Sequence, residues 1–377
     1  MKGGALILTA GFGEGHNAAA RSIKAACDML HEEGSAEVYD VFSEARPSLN
    51  RWMRSAYLEL INRLPNLWSW IYGGTNHQEI PGWFWRALER EADFLKAHIL
   101  ERQPAVLCST YPIYSFLLNQ IQDESVRRIP HFVVVTDSIS VHSLWWQAEA
   151  EAWFLPNQDS ADVLRNARIP ESKLEVLGFP VSPFFSTHLG ELSPPDLASG
   201  ARPRVLFLVH SGYSDAEETA RRLLQETPWE VTCAVGRNER LRERLKQLVV
   251  HRREPAQILG WTPDIPALLM THHAVISKAG GATTQEAIAA SCPMIVNQIV
   301  PGQEEGNFEL LCRLEAGSRA RSSAEVLSIL GEWFAHDGRG WNMRRKNLLA
   351  AAKPDACFEI GRRLLPFMGR PTGACGK

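Results

Sequence analysis

The sequence predicts an α/β protein with two doubly wound, Rossmann-like domains that face a central cleft. Three observations support this fold class. The chain of 377 residues is long for one hydrophobic core and comfortable for two. Short apolar runs alternate with amphipathic stretches, which is typical of a parallel sheet wrapped by helices. A segment rich in Pro, Gly and Ser interrupts this alternation, which then starts again.

The alternation sets the predicted boundaries: a first domain over residues 1–186, a linker over 187–203 and a second domain over 204–377 that includes the C-terminal helices. In the first domain the predicted strands are Ala5–Ala10, Glu37–Val41, Ala105–Ser109, His131–Thr136 and Ala152–Leu155. In the second domain they are Val205–Val209, Glu230–Val235, Ala274–Ser277 and Met294–Asn297. The helices predicted there are Glu217–Gln225, Glu239–Leu248, Thr283–Ala290 and Glu304–Leu314. The tail after Ser323 reads as three helices, the last over Asp355–Phe367.

Composition excludes several classes of protein. A formal net charge of −3 gives no general attraction to nucleic acid. The seven cysteines form no pair with metal-ligand spacing and indicate a reducing compartment. Glycines cut short the apolar run Ala5–Leu8, so we interpret it as a buried strand and not as an export signal. No apolar stretch reaches the length of a membrane span.

Two glycine-rich turns lie where a strand is followed by a helix, the place where open α/β sheets bind ligands. The first turn runs from Gly11 to His16 and places a histidine at a helix start. An imidazole suits proton transfer at neutral pH, although a structural glycine cluster before a helix is an equally good interpretation of this turn alone.

The second turn runs from Ser277 to Glu286, and small residues leave the backbone N–H groups of its helix open to an anion such as a diphosphate. Glu286 lies about one turn into that helix and could accept hydrogen bonds from a ribose diol. A lone glutamate on an exposed helix face is more often simply solvated. The neighbouring turns, Gly260–Asp264 and Pro301–Asn307, favour the binding role.

The order of these turns resembles the UDP-sugar glycosyltransferases that include monogalactosyldiacylglycerol synthases, processive diacylglycerol glucosyltransferases and MurG. In the first domain, the Gly13–His16 turn, the Thr136-Asp137 pair and the Gly178–Val181 turn resemble the diacylglycerol branch in particular. The sequence departs from the family pattern at Glu14, at Ala279 and at 210–213, where members have a richer glycine turn.

The resemblance implies the GT-B fold and an inverting transfer of a hexose from a UDP-sugar to a membrane lipid, with diacylglycerol as the expected acceptor. His16 would be the general base, and Asp137 could orient it. No metal and no cofactor beyond the UDP-sugar donor are expected. The predicted donor-binding residues are Trp261, Thr262, Lys278, Gly280, Gly281, Ala282, Thr283, Thr284, Glu286, Gln303, Glu304 and Asn307.

The segment from about Leu49 to Arg90 carries many tryptophans among arginines, a combination that suits an anionic membrane interface. We therefore expect a peripheral protein on the cytoplasmic face of the membrane. For any single tryptophan, packing against the domain core is the more common role. The residues predicted on the acceptor and membrane side are Gly13, Gly15, Trp68, Trp70, Trp83, Trp85, His142 and Trp145.

Two other functions remain open at this point. A UDP-N-acetylglucosamine 2-epimerase-like isomerase shares the architecture and the UDP site, because fold alone does not determine chemistry. A catalytically silent UDP-sugar sensor is the second alternative. The sequence does not indicate which hexose is transferred.

Overall fold

A computed structural model describes residues 2–11, 13–47, 86–139, 141–210, 215–300 and 304–369. The chain divides into two compact units. Unit 1 comprises Met1–Pro183, Pro301–Gly306 and Lys353–Lys377, and unit 2 comprises Phe184–Val300 and Asn307–Ala352. Each unit contains a six-stranded parallel sheet with helices between its strands. The predicted α/β class with two doubly wound domains is therefore confirmed.

The sheet of unit 1 has the strand order β2-β1-β3-β4-β5-β6. Its strands are β1 (Ala5–Leu8), β2 (Ala36–Tyr39), β3 (Val106–Ser109), β4 (His131–Val134), β5 (Ala152–Leu155) and β6 (Leu174–Val176). The chain adds β2 on one side of β1 and β3 on the other, and Leu8 pairs with Ser109 at the carboxyl ends of β1 and β3. The strand order therefore reverses between β1 and β3, which makes this position the topological switch point of the sheet.

Helices cover both faces of this sheet. They are α1 (Glu14–Leu30), α2 (Val41–Ala45), α3 (Glu89–Arg102), α4 (Ile113–Gln120), α5 (Glu124–Arg127), α6 (Gln158–Asn166) and the C-terminal helix α14 (Ala356–Leu364). Helix α1 buries Ala19, Ala20, Ile23 and Cys27 at the three- and four-residue spacing of one helix face. That face and residues of α14 share one apolar cluster with β1, β3, β4 and β5.

The sheet of unit 2 has the order β12-β11-β10-β7-β8-β9. Its strands are β7 (Arg204–Leu208), β8 (Glu230–Ala234), β9 (Ala256–Leu259), β10 (Ala274–Lys278), β11 (Met294–Gln298) and β12 (Gly317–Arg319). The chain grows from β7 through β8 to β9 on one side and then returns to add β10 on the other. The switch point of this second sheet therefore lies between β7 and β10.

The helices of unit 2 are α7 (Phe184–Thr187), α8 (Ala216–Glu226), α9 (Glu239–Val249), α10 (Ile265–Thr271), α11 (Gly281–Ala289), α12 (Glu305–Arg313, whose first two residues belong to unit 1) and α13 (Ser323–Ala351). Helix α13 is interrupted by non-helical backbone from Ala335 to Gly338. With this interruption, the tail contains the three helical segments that the sequence predicts.

The predicted domain boundaries differ from the observed units in two places. The sequence assigned the final helix to the second domain, but α14 lies in unit 1, where its Gly361 packs closely against Leu30 and Cys27 of α1. The predicted linker is part of unit 2. Its Leu197 is buried in the core of that unit and contacts Gly338, which has a φ of 73°.

The strands that the sequence did not predict are β6, β9 and β12, and each lies at the edge of its sheet. An edge strand is half-exposed and need not be a continuous apolar run. The sequences LEV, AQIL and GSR are accordingly short and partly polar. The central strands, buried on both faces, carry the signal that the sequence analysis detected. Among the described helices, none has the length and apolar character to cross a membrane.

Candidate active site

His16 lies at the switch point of the first sheet, in the first turn of helix α1. Gly13 precedes this helix with a φ of 130°, a backbone conformation that favours glycine. The hydroxyl of Thr110, directly after β3, donates to the backbone oxygen of His16 at 3.1 Å. The turn after β3 therefore fixes the helix start that carries the histidine.

The imidazole of His16 is held through one of its two nitrogens. Nδ1 lies 2.8 Å from the carbonyl oxygen of Thr110 and 2.8 Å from Oγ1 of Thr136. A carbonyl oxygen can only accept a hydrogen bond, so Nδ1 carries the proton in the neutral ring. Nε2 then bears the lone pair. This tautomer can accept a proton from a substrate hydroxyl.

Aromatic rings flank the imidazole. Tyr111 meets it edge-on with the ring centroids 5.1 Å apart, and the Trp145 ring centroid lies 6.2 Å away. Rings in this arrangement limit the rotation of the histidine and exclude part of its water. The packing therefore supports the orientation that the hydrogen bonds define.

Asp137 acts on His16 through its charge. Its Oδ2 accepts hydrogen bonds from the indole N–H of Trp145 at 2.7 Å and from the backbone N–H of His142 at 3.3 Å. The direct orienting contacts, which the sequence analysis attributed to Asp137, come from Thr110 and Thr136 instead. Whether Asp137 takes part in catalysis stays a prediction.

The pKa of His16 is lowered, mainly because burial disfavours the charged ring. The negative charge of Asp137 and the hydrogen bond to the Thr110 carbonyl act in the opposite direction and raise the pKa. The lowered pKa keeps the ring neutral at pH 7. The two opposing contributions stabilise the imidazolium once a proton has been taken.

The candidate donor site in unit 2 is the turn between β10 and helix α11. Gly280 is the N-cap of this helix and offers no side chain to bond the first N–H groups. The N–H of Thr284 donates to the Gly280 carbonyl, so the backbone donors without an intrahelical acceptor are those of Gly281, Ala282 and Thr283. Such a helix terminus favours an anion.

The remaining predicted donor residues differ in accessibility. Lys278 ends β10, and the side chains of Lys278, Thr283 and Glu286 are half-buried. Thr284 is fully buried with its hydroxyl toward the sulfur of Met294, so its side chain belongs to the core and not to a ligand site. Asn307 is buried and donates to the carbonyl of Ala279, which fixes this turn.

Four further donor predictions concern the flanking turns. Trp261 is 68% exposed after β9, and Thr262 accepts from the N–H of Asp264 and donates to its carboxylate. Glu304 is buried just before α12. Gln303 lies outside the described residues.

The predicted acceptor-side residues that the structure describes fall into two groups. Gly13 and Gly15 are half-buried beside His16. His142 and Trp145 are buried, at 7% and 1% exposure, and therefore do not present a surface to a membrane. His142 accepts from the N–H of Leu144, and Trp145 packs in the core beside β4 and β5. The residues that lie outside the described ones are Trp68, Trp70, Trp83 and Trp85.

The sequence analysis assigned no site role to several residues that contact these sites. Thr110 and Tyr111 follow β3, Thr136 follows β4, and His210 follows β7. His210 Nε2 lies 2.8 Å from Oγ of Ser277 in β10. The feature that these residues share in the sequence is a position one or two residues after the end of a central strand.

No group of three or more His, Cys, Asp or Glu side chains within the described ranges is placed to hold a metal ion.

Comparison with known proteins identifies relatives of the whole chain. Residues 16–181 match the family model for monogalactosyldiacylglycerol (MGDG) synthase. The chloroplastic monogalactosyldiacylglycerol synthase of Spinacia oleracea is 27% identical over 94% of this chain and 70% of its own length. The chain is a relative of the monogalactosyldiacylglycerol synthases. The motif resemblance and the predicted enzyme class, a glycosyltransferase, are confirmed.

Two further proteins extend this comparison. A processive diacylglycerol beta-glucosyltransferase of Bacillus cytotoxicus is 25% identical over 85% of this chain and 83% of its own length. The crystal structure of MurG from Acinetobacter baumannii matches with a TM-score of 0.61 and 13% identity over 97% of this chain and 100% of its own. At that identity the structural match supports the fold alone. The relatives in sequence are transferases, so the isomerase alternative is not favoured.

Proposed function

We propose that this protein transfers a hexose from a UDP-sugar to the free hydroxyl of diacylglycerol, with inversion at the anomeric carbon. The observation that carries the proposal is His16, held as the Nδ1–H tautomer at the switch point of the first sheet. The relatives in sequence, a monogalactosyldiacylglycerol synthase and a processive diacylglycerol beta-glucosyltransferase, support the substrate class.

In the proposed mechanism, Nε2 of His16 removes the proton of the acceptor hydroxyl while its oxygen attacks the anomeric carbon. The bond from that carbon to the UDP oxygen breaks, and UDP leaves with the electron pair. Attack opposite the leaving group inverts the configuration. Asp137 and the Thr110 carbonyl stabilise the imidazolium that forms, because both favour the charged ring.

The departing diphosphate is assigned to unit 2. The N–H groups of Gly281, Ala282 and Thr283 and the positive end of α11 can receive its charge without a metal ion. Glu286 is assigned to the ribose hydroxyls, and the exposed ring of Trp261 to the uracil. Gln303, Glu304 and Asn307 are assigned to the donor hexose by family likeness. For Asn307, the bond to Ala279 makes its support of the turn the more direct role.

Diacylglycerol resides in a membrane, so the enzyme must reach the headgroup plane. We assign this contact to residues 49–90, on the basis of the tryptophans and arginines in that segment. We also propose peripheral attachment on the cytoplasmic side of the membrane.

A variant with Trp68, Trp70, Trp83 and Trp85 changed to serine should bind anionic liposomes more weakly than the wild type, provided that it folds. Equal binding by the two proteins would contradict the assignment of the membrane contact to this segment.

The function is tested by incubating the purified protein with UDP-glucose, UDP-galactose or UDP-N-acetylglucosamine and liposomes that contain diacylglycerol. Mass spectrometry would detect the glycolipid, and NMR coupling constants would report its anomeric configuration. A β-linked hexosyl diacylglycerol is expected. Conversion of the UDP-sugar to an isomer without lipid would instead support an epimerase, and unchanged UDP-sugars with measurable binding would support a sensor.

A further inference from the structure

His210 lies at the topological switch point of the second sheet, as His16 lies at the switch point of the first. It lies two residues after β7, and its Nε2 is 2.8 Å from the hydroxyl of Ser277 in β10. This contact therefore spans the switch point of the second sheet, where ligands of doubly wound domains bind. The sequence departs here from the glycine-rich turn that the family resemblance leads one to expect.

We infer that His210 contacts the diphosphate of the bound UDP-sugar and takes up a proton when the donor binds. This inference rests on the proposed function, since that function supplies the diphosphate. Ser277 is followed directly by Lys278, Ala279 and Gly280, which lead into α11. His210 is thus fixed to the strand from which the proposed diphosphate turn begins.

The hydrogen bonds of His210 leave one nitrogen for a ligand. Nε2 is engaged by Ser277, and Nδ1 makes no hydrogen bond to any residue within the described ranges. In the protonated ring both nitrogens are donors. Nε2 can then donate to the Ser277 hydroxyl while Nδ1 donates to a phosphate oxygen, a charge-assisted bond stronger than a neutral one.

The environment of His210 explains why it is neutral before the donor binds. Burial and, to a smaller extent, the positive charge of Lys278 together lower its pKa to about 4. The neighbouring strand β8 ends in Ala234 and is followed by Val235, which carry no charge. A diphosphate placed beside Lys278 would offset both effects, because an anion favours the charged ring.

Proton uptake can be measured without the acceptor lipid. Both phosphates of a UDP-sugar are esterified, so it lacks the phosphate group that titrates near pH 6. Calorimetric titration of the wild type with UDP-glucose or UDP-galactose at pH ~5.5, in two buffers of different ionisation enthalpy, gives the number of protons taken up. We expect a value approaching one. As the pH increases from the pKa of the His210 ring in the free protein to its pKa in the complex, the dissociation constant of the UDP-sugar should rise about tenfold per pH unit.

The His210→Asn variant should bind the donor more weakly and take up no proton. His251→Asn, at an exposed histidine of the same unit, should behave as the wild type. If His210→Asn does not fold, His210→Gln and the pH dependence of the wild type test the same point. Donor binding by the wild type with no proton uptake would overturn this inference and leave the proposed function intact. A wild type that binds no UDP-sugar would overturn the proposed function itself.

Discussion

Each of the two sheets places a histidine at its switch point, but the charged residue near the histidine is negative in unit 1 and positive in unit 2. His16 in unit 1 lies near the carboxylate of Asp137, whereas His210 in unit 2 lies near the ammonium of Lys278. A carboxylate favours the product of proton abstraction, the imidazolium. Burial, supported by the charge of the lysine, keeps the ring of His210 neutral, and an anion would offset both effects. The same residue at equivalent positions is therefore suited to a base in one unit and to a diphosphate contact in the other.

The two sites also differ in the groups that form them. In unit 1 the proposed chemistry depends on side chains, since the proposed proton acceptor is an imidazole that Thr136 contacts and the charge of Asp137 favours in its protonated form. In unit 2 the principal donors are backbone N–H groups at the start of α11. Side-chain substitutions should therefore affect turnover strongly in the first site and affinity moderately in the second. The following predictions test this difference, from the largest effect to the smallest.

The largest effect is expected for His16→Asn. Removing the base should lower turnover by about 10²–10⁴-fold, the usual contribution of general base catalysis. The measurement is the rate of glycolipid formation at saturating UDP-sugar. The matched control is His31→Asn, which changes the histidine that caps the C-terminal end of helix α1. This variant should retain wild-type turnover. Wild-type turnover in His16→Asn would place the base elsewhere.

A smaller effect is expected for Glu286→Ala in the second site. Loss of a charged hydrogen bond to the ribose should weaken UDP binding by about 1–3 kcal/mol. Calorimetry with UDP gives this value directly. Glu309→Ala removes an exposed glutamate that pairs with Arg313 in the same unit and should leave the affinity unchanged. Equal affinities for all three proteins would remove Glu286 from the site.

The pH dependence of turnover tests the role of Asp137. Because only neutral His16 can act as a base, activity should be lost as the pH falls through the pKa of His16, which lies below the ordinary 6.5. Asp137→Asn removes a contribution that raises this pKa, so its acid limb should move to lower pH. The amide oxygen can still accept from Trp145. Asp162→Asn, at an exposed position of α6, is the control, and an acid limb unchanged by Asp137→Asn would contradict the electrostatic role.

The smallest effect is expected for metal removal. Since the start of helix α11 is proposed to receive the diphosphate charge, transfer should continue in the presence of EDTA. Rates of glycolipid formation with EDTA alone and with added Mg²⁺ check this point. A loss of activity in EDTA that Mg²⁺ restores would show that backbone donors are not sufficient.

The sequence predicted the central strands and the two glycine-rich turns that follow strands of each sheet, since these features are local. Buried strands such as β1 and β10 are continuous apolar runs, and glycines mark the turns that follow them. The edge strands β6, β9 and β12 carried too few apolar residues to be recognised. The position of α14 depends on contacts with α1 that lie more than 300 residues away in the sequence, which no local pattern encodes.

The candidate site was predictable to the same extent. His16 and the α11 turn were identified from motifs, but the tautomer of His16 depends on Thr110 and Thr136, which lie 94 and 120 residues away. Thr110 has no motif of its own, and Thr136 was noted only as part of the Thr136-Asp137 pair. Both meet His16 only because β1, β3 and β4 are adjacent in the sheet. His210 was noted only as a departure from a glycine-rich turn. Its contact with Ser277 requires the pairing of β7 with β10.

The division of tasks between the two units is tested most directly by one comparison of kcat and UDP-sugar affinity in His16→Asn and Glu286→Ala. We predict that raising the UDP-sugar concentration restores turnover in Glu286→Ala, because its defect is in donor binding. Turnover of His16→Asn should stay low at every concentration, with a donor affinity close to that of the wild type. Equal losses of kcat and affinity in both variants would contradict the assignment of the base to one unit and the donor to the other.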